Sequence, residues 1–465
     1  MSVGARDGVV VLIAIVLVLG ICVGSKWALL GVPVGLLCRV SAATLACCVV
    51  VAVFGGVLGT HAWESARPRH LGDYSGWAEL VADPAPFGQG LRATFEIDGE
   101  RFDAWLYGGQ RRKLADRQAG EFVWVQGKRS ALTTGARRAA VRHVVGRFTP
   151  TVLADVHDGS VLDRASNRVR RSLRRVAEAT MGSDDAALFT GLVIGDDARQ
   201  RPELIDAFRG SGLSHLTAVS GQNVAFVLAA ALPLLRRFRP SWRWAATVAL
   251  VAWFMALTRF EPSVLRAGVM AILAATAFVR GAQASPVRLL ALAIIALVML
   301  DPLLVWSVGF WLSVGATAGV CVLGPWLRER LPGPRWLRLP MAVTLGAQLG
   351  VAVPSVLVFH RLPAVSLLAN LLAVPVAGFV MLYGLPAGMI AAALPSALQQ
   401  IVMLPAEWGT HWVALVAQLG FAVEPAPLWS AACWSIGLVA WFCWWHFGRN
   451  RRVCQSDGTM RFTAR

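Results

Sequence analysis

Residues 241–300 read SWRWAATVAL VAWFMALTRF EPSVLRAGVM AILAATAFVR GAQASPVRLL ALAIIALVML. Three apolar runs, 241–258, 263–280 and 286–300, are separated by two short turns; Arg259 and Glu261 stand in the first, and Arg280 and Arg288 flank the second. Each run approaches the roughly 20 residues needed to cross the hydrocarbon core of a bilayer. The pattern extends outward in both directions. Further candidate spans are 8–24, 41–59, 214–235, 305–326, 339–358, 362–382, the short 384–395 and 428–447. The 384–395 piece is consistent with half of a broken helix. The 396–423 segment, apolar but interrupted by Pro405 and Glu407, is consistent with an interfacial position. Ahead of residues 8–24 the flank is only Arg6 beside Asp7 and more apolar sequence follows, so this run reads as a retained span rather than a cleaved signal.

Composition agrees. Of 465 residues, 56% are apolar and 15% charged, against roughly a quarter charged in a soluble chain, and mean hydropathy is +0.58. A cytosolic enzyme, a secreted disulfide scaffold and a disordered chain are excluded. The expected fold is a polytopic α-helical membrane protein of about nine to eleven spans with one outward-facing small β-rich domain. The eight cysteines are Cys22, Cys38, Cys47, Cys48, Cys321, Cys433, Cys443 and Cys454; all but the last lie in or beside apolar runs, and no C-x-x-C occurs. They read as small packing residues, not as a disulfide framework or zinc site.

Lys and Arg number 44 against 27 Asp and Glu, a net charge of +17. Basic clusters stand at Arg236/Arg237/Arg239/Arg243, Arg280/Arg288, Arg328/Arg330/Arg335/Arg338 and Arg449/Arg451/Arg452. The first three are separated by pairs of spans, so all can face the cytoplasm. The polar module then faces outward. The tail falls inside when 362–395 counts as two crossings. Loop charge that holds topology explains part of the excess; the remainder suits an anionic partner, nucleic acid or anionic lipid.

The chain divides into N-terminal spans (1–59), a β-rich module (60–157), basic amphipathic and linking helices (158–213), a membrane core (214–447) and a basic tail (448–465). In the module, Leu91–Ile97, Phe102–Tyr107 and Glu121–Lys128 read as strands, with turn chemistry at Asp98-Gly99 and Gly108-Gly109. Short strands with glycine turns suggest a small barrel or sandwich. Val161–Met181 then places Leu162, Ala165, Val169, Leu173 and Val176 on one helical face. Arg164, Arg168, Arg171 and Arg175 lie on another, with Arg170 and Arg174 beside them. Such a helix lies on anionic lipid or lines a path for a polyanion; both readings stand at this point.

Four blocks place polar residues at membrane depth, where they pair or line a cavity. The first runs from Gly191-Leu-Val-Ile-Gly195-Asp196 through Pro202-Glu203-Leu204 and Phe208-Arg-Gly210-Ser-Gly212 to His215-Leu-Thr-Ala-Val-Ser220-Gly221-Gln222-Asn223-Val224. Interhelical hydrogen bonding around a close Ser-Gly contact is the structural alternative there. The second is Glu261-Pro262-Ser263-Val-Leu265-Arg266-Ala267, with proline suited to a first helical turn and Arg266 one turn further in. Glu261 and Asp301 are its candidate partners, in an ion pair or at a pore lining. The third is Asp301-Pro302 with Gly309-Phe310-Trp-Leu312-Ser313. The fourth is Asn370-Leu371-Leu-Ala373-Val-Pro375. Proline and asparagine within apolar runs suggest a broken helix whose freed carbonyls line a cavity.

In this order the blocks G-x-x-x-G-D, H-L-x-A-x-S-G, P-S-x-x-R-A, D-P…G-F-x-L-S and N-x-x-A-x-P resemble the ComEC-type competence family, over roughly residues 150–395. The resemblance extends more weakly to the N-terminal spans and to the module, which would match the family's OB-like domain. It implies an inner-membrane channel for single-stranded DNA, as in natural transformation. Asn223 stands where the commoner form has histidine, which sets aside a histidine-dependent role at this position. Full-length members carry a metallo-β-lactamase-like nuclease after the core; here the chain ends about 18 residues past the last expected span, and no H-x-H-x-D-H set occurs among its eight histidines. Asp155-Val-His157-Asp158 is the nearest approach to a ligand cluster. The family's nuclease is expected outside whereas the charge pattern puts the tail inside, a mismatch of one crossing. No Walker A sequence is present: Gly120 to Gly127-Lys128-Arg129 has the wrong spacing.

The expected protein is therefore a channel without catalytic residues, metal or cofactor. Its expected partners are single-stranded DNA, anionic lipid, a separate nuclease and a cytoplasmic ATPase or DNA-binding proteins. His215, Ser220, Gln222, Asn223, Arg266 and Asn370 are expected to line the pathway. Arg164, Arg168, Arg171, Arg175, Lys113 and Lys128 are expected to hold DNA. Gly195, Asp196, Gly221, Glu261, Pro262, Ser263, Asp301 and Pro375 are expected to shape the core. Single strands need basic tracks and aromatic platforms, for which Phe95, Trp105, Tyr107, Phe122 and Trp124 are candidates on the strands. A transporter of small or lipid-linked molecules, and a non-catalytic binding remnant, are the competing classes; inverted repeats would mark the transporter, and none is evident.

Overall fold

A computed structural model describes residues 3–24, 42–217, 220–360, 363–426, 429–430 and 432–437. The Lys26–Arg39 connector with Cys38, residues 438–447 of the last expected span, and the tail 448–465 lie outside the described residues. The chain forms two compact units, Met1–Gln200 with Leu216–Val314 and Ala377–His411, and Arg201–His215 with Gly315–Val376 and Trp412–Arg465.

The first unit opens with helices α1 (Val3–Val23) and α2 (Ala42–Ser65). They run parallel and very close. A Cβ on Gly55 would fall 2.7 Å from the Leu17 carbonyl, and one on Gly59 2.8 Å from that of Ile21. Small residues permit such contacts where lipid supplies no hydrophobic drive between helices.

The expected small β-rich domain follows: β1 (Gly72–Leu80), β2 (Ala85–Phe87), β3 (Gly90–Ile97), β4 (Glu100–Leu106), β5 (Phe122–Ala131) and β6 (Val144–His157). The order is β1-β5-β6-β4-β3-β2, and β1 also pairs β3 at Leu80 opposite Phe95, which curls the sheet on itself. Only β4–β6 is parallel. Alternation drives the closure: Ala78, Leu80, Phe95, Ile97, Phe102, Val123, Val125 and Phe148 form one buried core. Asp98 and Gly99 both take positive φ, 52° and 75°, and turn β3 tightly into β4. Gly108-Gly109 instead opens a short helix, α3 (Gly108–Leu114), and Ala136–Ala140 forms α4.

Helix α5 (Val161–Thr180) leads to α6 (Ser183–Ile194), α7 (Pro202–Gly210), α8 (Ser214–Thr217), α9 (Gly221–Leu235), α10 (Pro240–Leu257), α11 (Pro262–Val279) and α12 (Pro286–Leu300). Proline at the first turn of α7, α10, α11 and α12 sets the helical φ where the N–H has no intrahelical partner. After α12 the chain breaks at Asp301-Pro302 into a 3₁₀ turn, Pro302–Trp306, and resumes as α13 (Val308–Arg330). Then come α14 (Arg335–Phe359), α15 (Ser366–Ala391) and α16 (Ser396–Val423).

Two expectations change. The runs 362–382 and 384–395 are not two crossings: α15 is one 26-residue helix that continues through Pro375. Segment 396–423 is likewise one 28-residue helix through Pro405. A transmembrane helix can carry proline when neighbours satisfy the freed carbonyl, so neither proline acts as a breaker. Among the described residues five helices, α2, α11, α13, α14 and α15, are long and apolar enough to cross a bilayer. Asp7–Val23, Gly221–Leu235 and Pro286–Leu300 are shorter apolar helices. The expected count of about nine to eleven spans falls by one at α15. The protein is a multi-pass membrane protein of the cell membrane.

Candidate functional site

Helix α5 begins with a reciprocal cap: Ser160 Oγ accepts from the Asp163 N–H, and the Asp163 carboxylate accepts from the Ser160 N–H. Its two faces then diverge. Ser166, Asn167, Arg170, Leu173, Val176 and Ala177 are buried. Arg164, Arg168, Arg171 and Arg175 all point to the surface. Among the described residues only Arg171 of these four reaches a carboxylate, Glu121 at 3.4 Å. Arg164 donates to the Gly159 carbonyl, and Arg175 to that of Arg171. The face is therefore a row of largely uncompensated guanidinium groups. From Ser166 onward the opposite face is already occupied, and Leu173 packs where a Cβ on Gly388 would lie 2.4 Å away, while Leu162 of the expected apolar face is exposed. An interfacial helix needs that face free for lipid.

The two arginines one position back behave differently. Arg170, 2% exposed, donates to Asp83 Oδ2 at 2.8 Å and to the carbonyls of Ile194 and Leu257 at 2.8 and 3.1 Å. Arg259 donates to Asp83 Oδ1 at 2.9 Å and to Asn167 Oδ1 at 2.7 Å. Its φ of +59°, followed by +55° at Phe260, folds the α10–α11 turn so that the guanidinium reaches the module. Asn167 and the Ala119 N–H complete the cluster. Burial alone would raise the Asp83 carboxyl. Arg170, Arg259 and the Ala119 N–H outweigh it and hold the group at about 2. This latch joins the β-domain, α5, the end of α6 and the α10–α11 turn. Arg174 is similarly committed, to Asp196 at 2.5 Å. Gly195, at φ +71°, closes α6 and turns the chain toward Asp196.

Within the same unit the expected lining residues Ser220, Gln222, Asn223 and Arg266 come together around the start of α9. Ser220 is its N-cap. Asn223, 2% exposed, donates to the Leu192 carbonyl and accepts from Ser220 Oγ, each at 3.1 Å. Gly221 lies against α11: a Cβ there would sit 3.1 Å from Arg266 Nη2 and 2.9 Å from Ala267 Cβ. Arg266 is buried, and its Nε donates to Ser313 Oγ on α13 at 2.9 Å. Pro262 opens α11 as expected, with Glu261 as the N-cap and Ser263 in the first turn.

Several expectations are corrected. Asp301 caps the 3₁₀ turn through the Leu303 N–H and meets His143 Nε2 at 2.9 Å, so it serves the domain junction. Beside it a cavity of about 790 Å³ is lined by His61, His70, Glu100, His143 and Asp301 among others; its mixed charge does not suit a polyanion. Lys113 is tied to the Leu153 carbonyl at 2.7 Å, whereas Lys128 is exposed on β5. Phe95 is fully buried, a core residue rather than a platform. His215 and Asn370 belong to the second unit. There His215 is exposed, and Asn370 donates back to the Ser366 carbonyl of its own helix at 2.7 Å. Pro375 lies inside α15 and opens no cavity by breaking it. Asp83 and Asn167 were not singled out from the sequence; a lone Asp-Pro after a strand gives no hint of two arginines that arrive 87 and 176 residues later.

A family model described as "Competence protein" matches residues 192–449. The chain is 28% identical to "Competence protein ComA" of Neisseria gonorrhoeae over 428 residues, 82% of this chain and 58% of that protein. It is 26% identical to "ComE operon protein 3" of Bacillus subtilis strain 168 over 273 residues, 56% of this chain and 34% of that protein. It is 27% identical to the "Uncharacterized protein YcaI" of Escherichia coli K12 over 212 residues, 42% of this chain and 28% of that protein. The chain thus spans between 28% and 58% of the length of these relatives. No solved structure matches it.

Proposed function

The chain belongs to the Competence protein family, and on that premise we propose that it serves DNA uptake, its membrane core conducting a single strand inward across the cell membrane. The strand is received on the arginine face of α5. The observation that carries this reading is the four-arginine row of which, among the described residues, only Arg171 reaches a carboxylate. A phosphate backbone supplies the missing countercharges at the 3.6-residue helical spacing. The burial of Leu173, Val176 and Ala177 favours this over a lipid-surface helix, because only Val161 and Leu162 in the first turn leave large apolar side chains exposed.

Orientation supports the same direction of travel. The β-domain is latched through Asp83 to the α10–α11 turn. That turn lies at the opposite helix ends from Arg236/Arg237/Arg239/Arg243 and from Arg280/Arg288, which the positive-inside rule places in the cytoplasm. The domain then receives DNA outside. Removal of the second strand by a nuclease, and the energy for movement from an ATPase or an ion gradient, come from partners in this reading. The chain itself acts as conduit rather than catalyst.

The test is binding of purified protein to labelled single-stranded DNA, double-stranded DNA and anionic vesicles across a salt series. A steep salt slope with preference for single strands, reduced in the Arg168→Gln/Arg171→Gln/Arg175→Gln variant, is expected. Binding confined to anionic vesicles overturns the reading.

A further inference from the structure

Four rings meet on the outer surface of three adjacent strands. Trp77 of β1 stands opposite Trp124 of β5 in register, with ring centroids 5.5 Å apart at 80°. His157, at the end of β6, lies 4.4 Å from Trp77 and stacks on Phe122 at 5.0 Å and 17°. The inward positions between them, Ala78, Val123 and Val125, fill the barrel core, so alternation directs all four rings outward. Trp77 is 40% exposed. The core is closed without these rings, so packing of the domain does not account for them.

Their surroundings indicate what would cover them. Glu121, the partner of Arg171, immediately precedes Phe122. The Gly159 carbonyl, two residues after His157, accepts from Arg164. The rings therefore stand at the head of the arginine face of α5. Lys128 continues the same side of β5 beyond Phe122, Trp124 and Gln126, exposed and without a carboxylate partner among the described residues. In register on that side Asp73 stands opposite Lys128 and Glu79 opposite Phe122; burial, with Glu96 and Asp163, pushes the Glu79 carboxyl up. Flat π faces beside a row of cations match a chain that alternates bases with phosphates; a base-free polyanion would gain nothing from the rings.

We propose that Trp77, Trp124, Phe122 and His157 form a base-stacking platform for single-stranded nucleic acid, which positions the strand before its phosphates pass along Arg164, Arg168, Arg171 and Arg175. This rests on the reading of α5 as a polyanion face. The platform engages bases and the helix engages phosphates, so the two functions separate experimentally.

The experiment uses the full chain in nanodiscs of neutral lipid, with short oligothymidylate and an abasic oligonucleotide of equal length and charge as probes. Wild-type protein is expected to prefer oligothymidylate, with tryptophan fluorescence quenched by that probe alone. Trp77→Ala and Trp124→Ala are expected to weaken oligothymidylate binding about 5- to 100-fold and to leave the abasic probe unchanged. Trp77→Phe should recover most of the loss. Arg168→Gln should weaken both probes alike. Equal affinity for the two probes, equal loss on both, or no loss and no quenching overturns the platform. If the arginine variant still weakens both probes in those cases, the uptake reading stands without the platform. If wild-type protein binds neither probe, the uptake reading itself falls, and the platform with it.

Discussion

Asp83 concentrates the strongest local electrostatics in the first unit. One carboxylate serves two guanidinium groups and a backbone N–H. Removing it leaves Arg170 and Arg259 side by side without a countercharge. Loss of one member of such a buried cluster costs about 3–5 kcal/mol, so Asp83→Asn is expected to lower the unfolding temperature and to free the β-domain for limited proteolysis. Acid tests the same group without mutation. Its carboxyl is held at about 2 in the folded protein, below about 3.9 when unfolded. A depressed carboxyl stabilises above its unfolded value, and that contribution fades as pH falls through the folded value. Domain release should therefore appear between about pH 4 and pH 2 and involve on the order of 2 kcal/mol. Proteolysis that is flat across this window would show that Asp83 does not hold the latch. At this scale the sequence was legible where a position depends on spacing, as for Arg164, Arg168, Arg171 and Arg175, which share the exposed face. It was not legible where a role depends on three distant segments meeting. Arg170 and Arg171 are neighbours in the chain, yet one is a buried tie and the other a surface cation, because α5 turns about 100° per residue.

At the scale of elements, α5 ties sequence period to function most directly. Each phosphate contact contributes about −0.7 to the logarithmic salt slope for single strands. Arg168→Gln and Arg175→Gln should each reduce that slope by about that amount, whereas Lys113→Gln, whose head group is already bound to the Leu153 carbonyl, should change it little. A second element-level prediction concerns α13 and α14 in the second unit. A Cβ on Gly319 would lie 2.0 Å from the Gly346 carbonyl, and one on Gly350 2.1 Å from that of Gly315. Gly319→Leu is therefore expected to lower the yield of folded protein sharply in fluorescence-detected size exclusion. Gly324→Ala on the same helix, with only the Ala342 carbonyl at 4.0 Å, should be tolerated. The existence of these helices was readable from apolar runs alone. Their continuity was not: Pro375 and Pro405 read as interruptions, but in a membrane helix neighbouring groups can take up the freed carbonyl. Strands β3, β4 and β5 were readable from alternation and Asp98-Gly99, whereas β1, β2 and β6 were not singled out. The face that Phe122 and Trp124 present was not readable, because in Phe122-Val-Trp-Val125 both alternating sets are apolar and either could have met the core.

Across the whole molecule, sidedness decides what the candidate site can do, and it is measurable. The β-domain is bound to the core at the α10–α11 turn through Asp83 and Arg259, and at the α12 end through His143 and Asp301. The basic loops α9–α10 and α11–α12 lie at the other ends of these helices. If those loops are cytoplasmic, every route from the β-domain to Arg280 crosses the membrane. Single cysteines placed in a cysteine-free background read this directly. Thr134→Cys, in an exposed loop of the β-domain, should react with a membrane-impermeant maleimide in intact cells, and Ala282→Cys, exposed beside Arg280, only after permeabilisation. The reverse pattern would place the β-domain inside; the arginine face would then meet a strand as it leaves the core rather than as it arrives. Labelling of both positions, or of neither, before permeabilisation would put them on one side. The latch and the basic loops could then not mark opposite ends of the same helices, and the inward direction of transport would lose its physical basis.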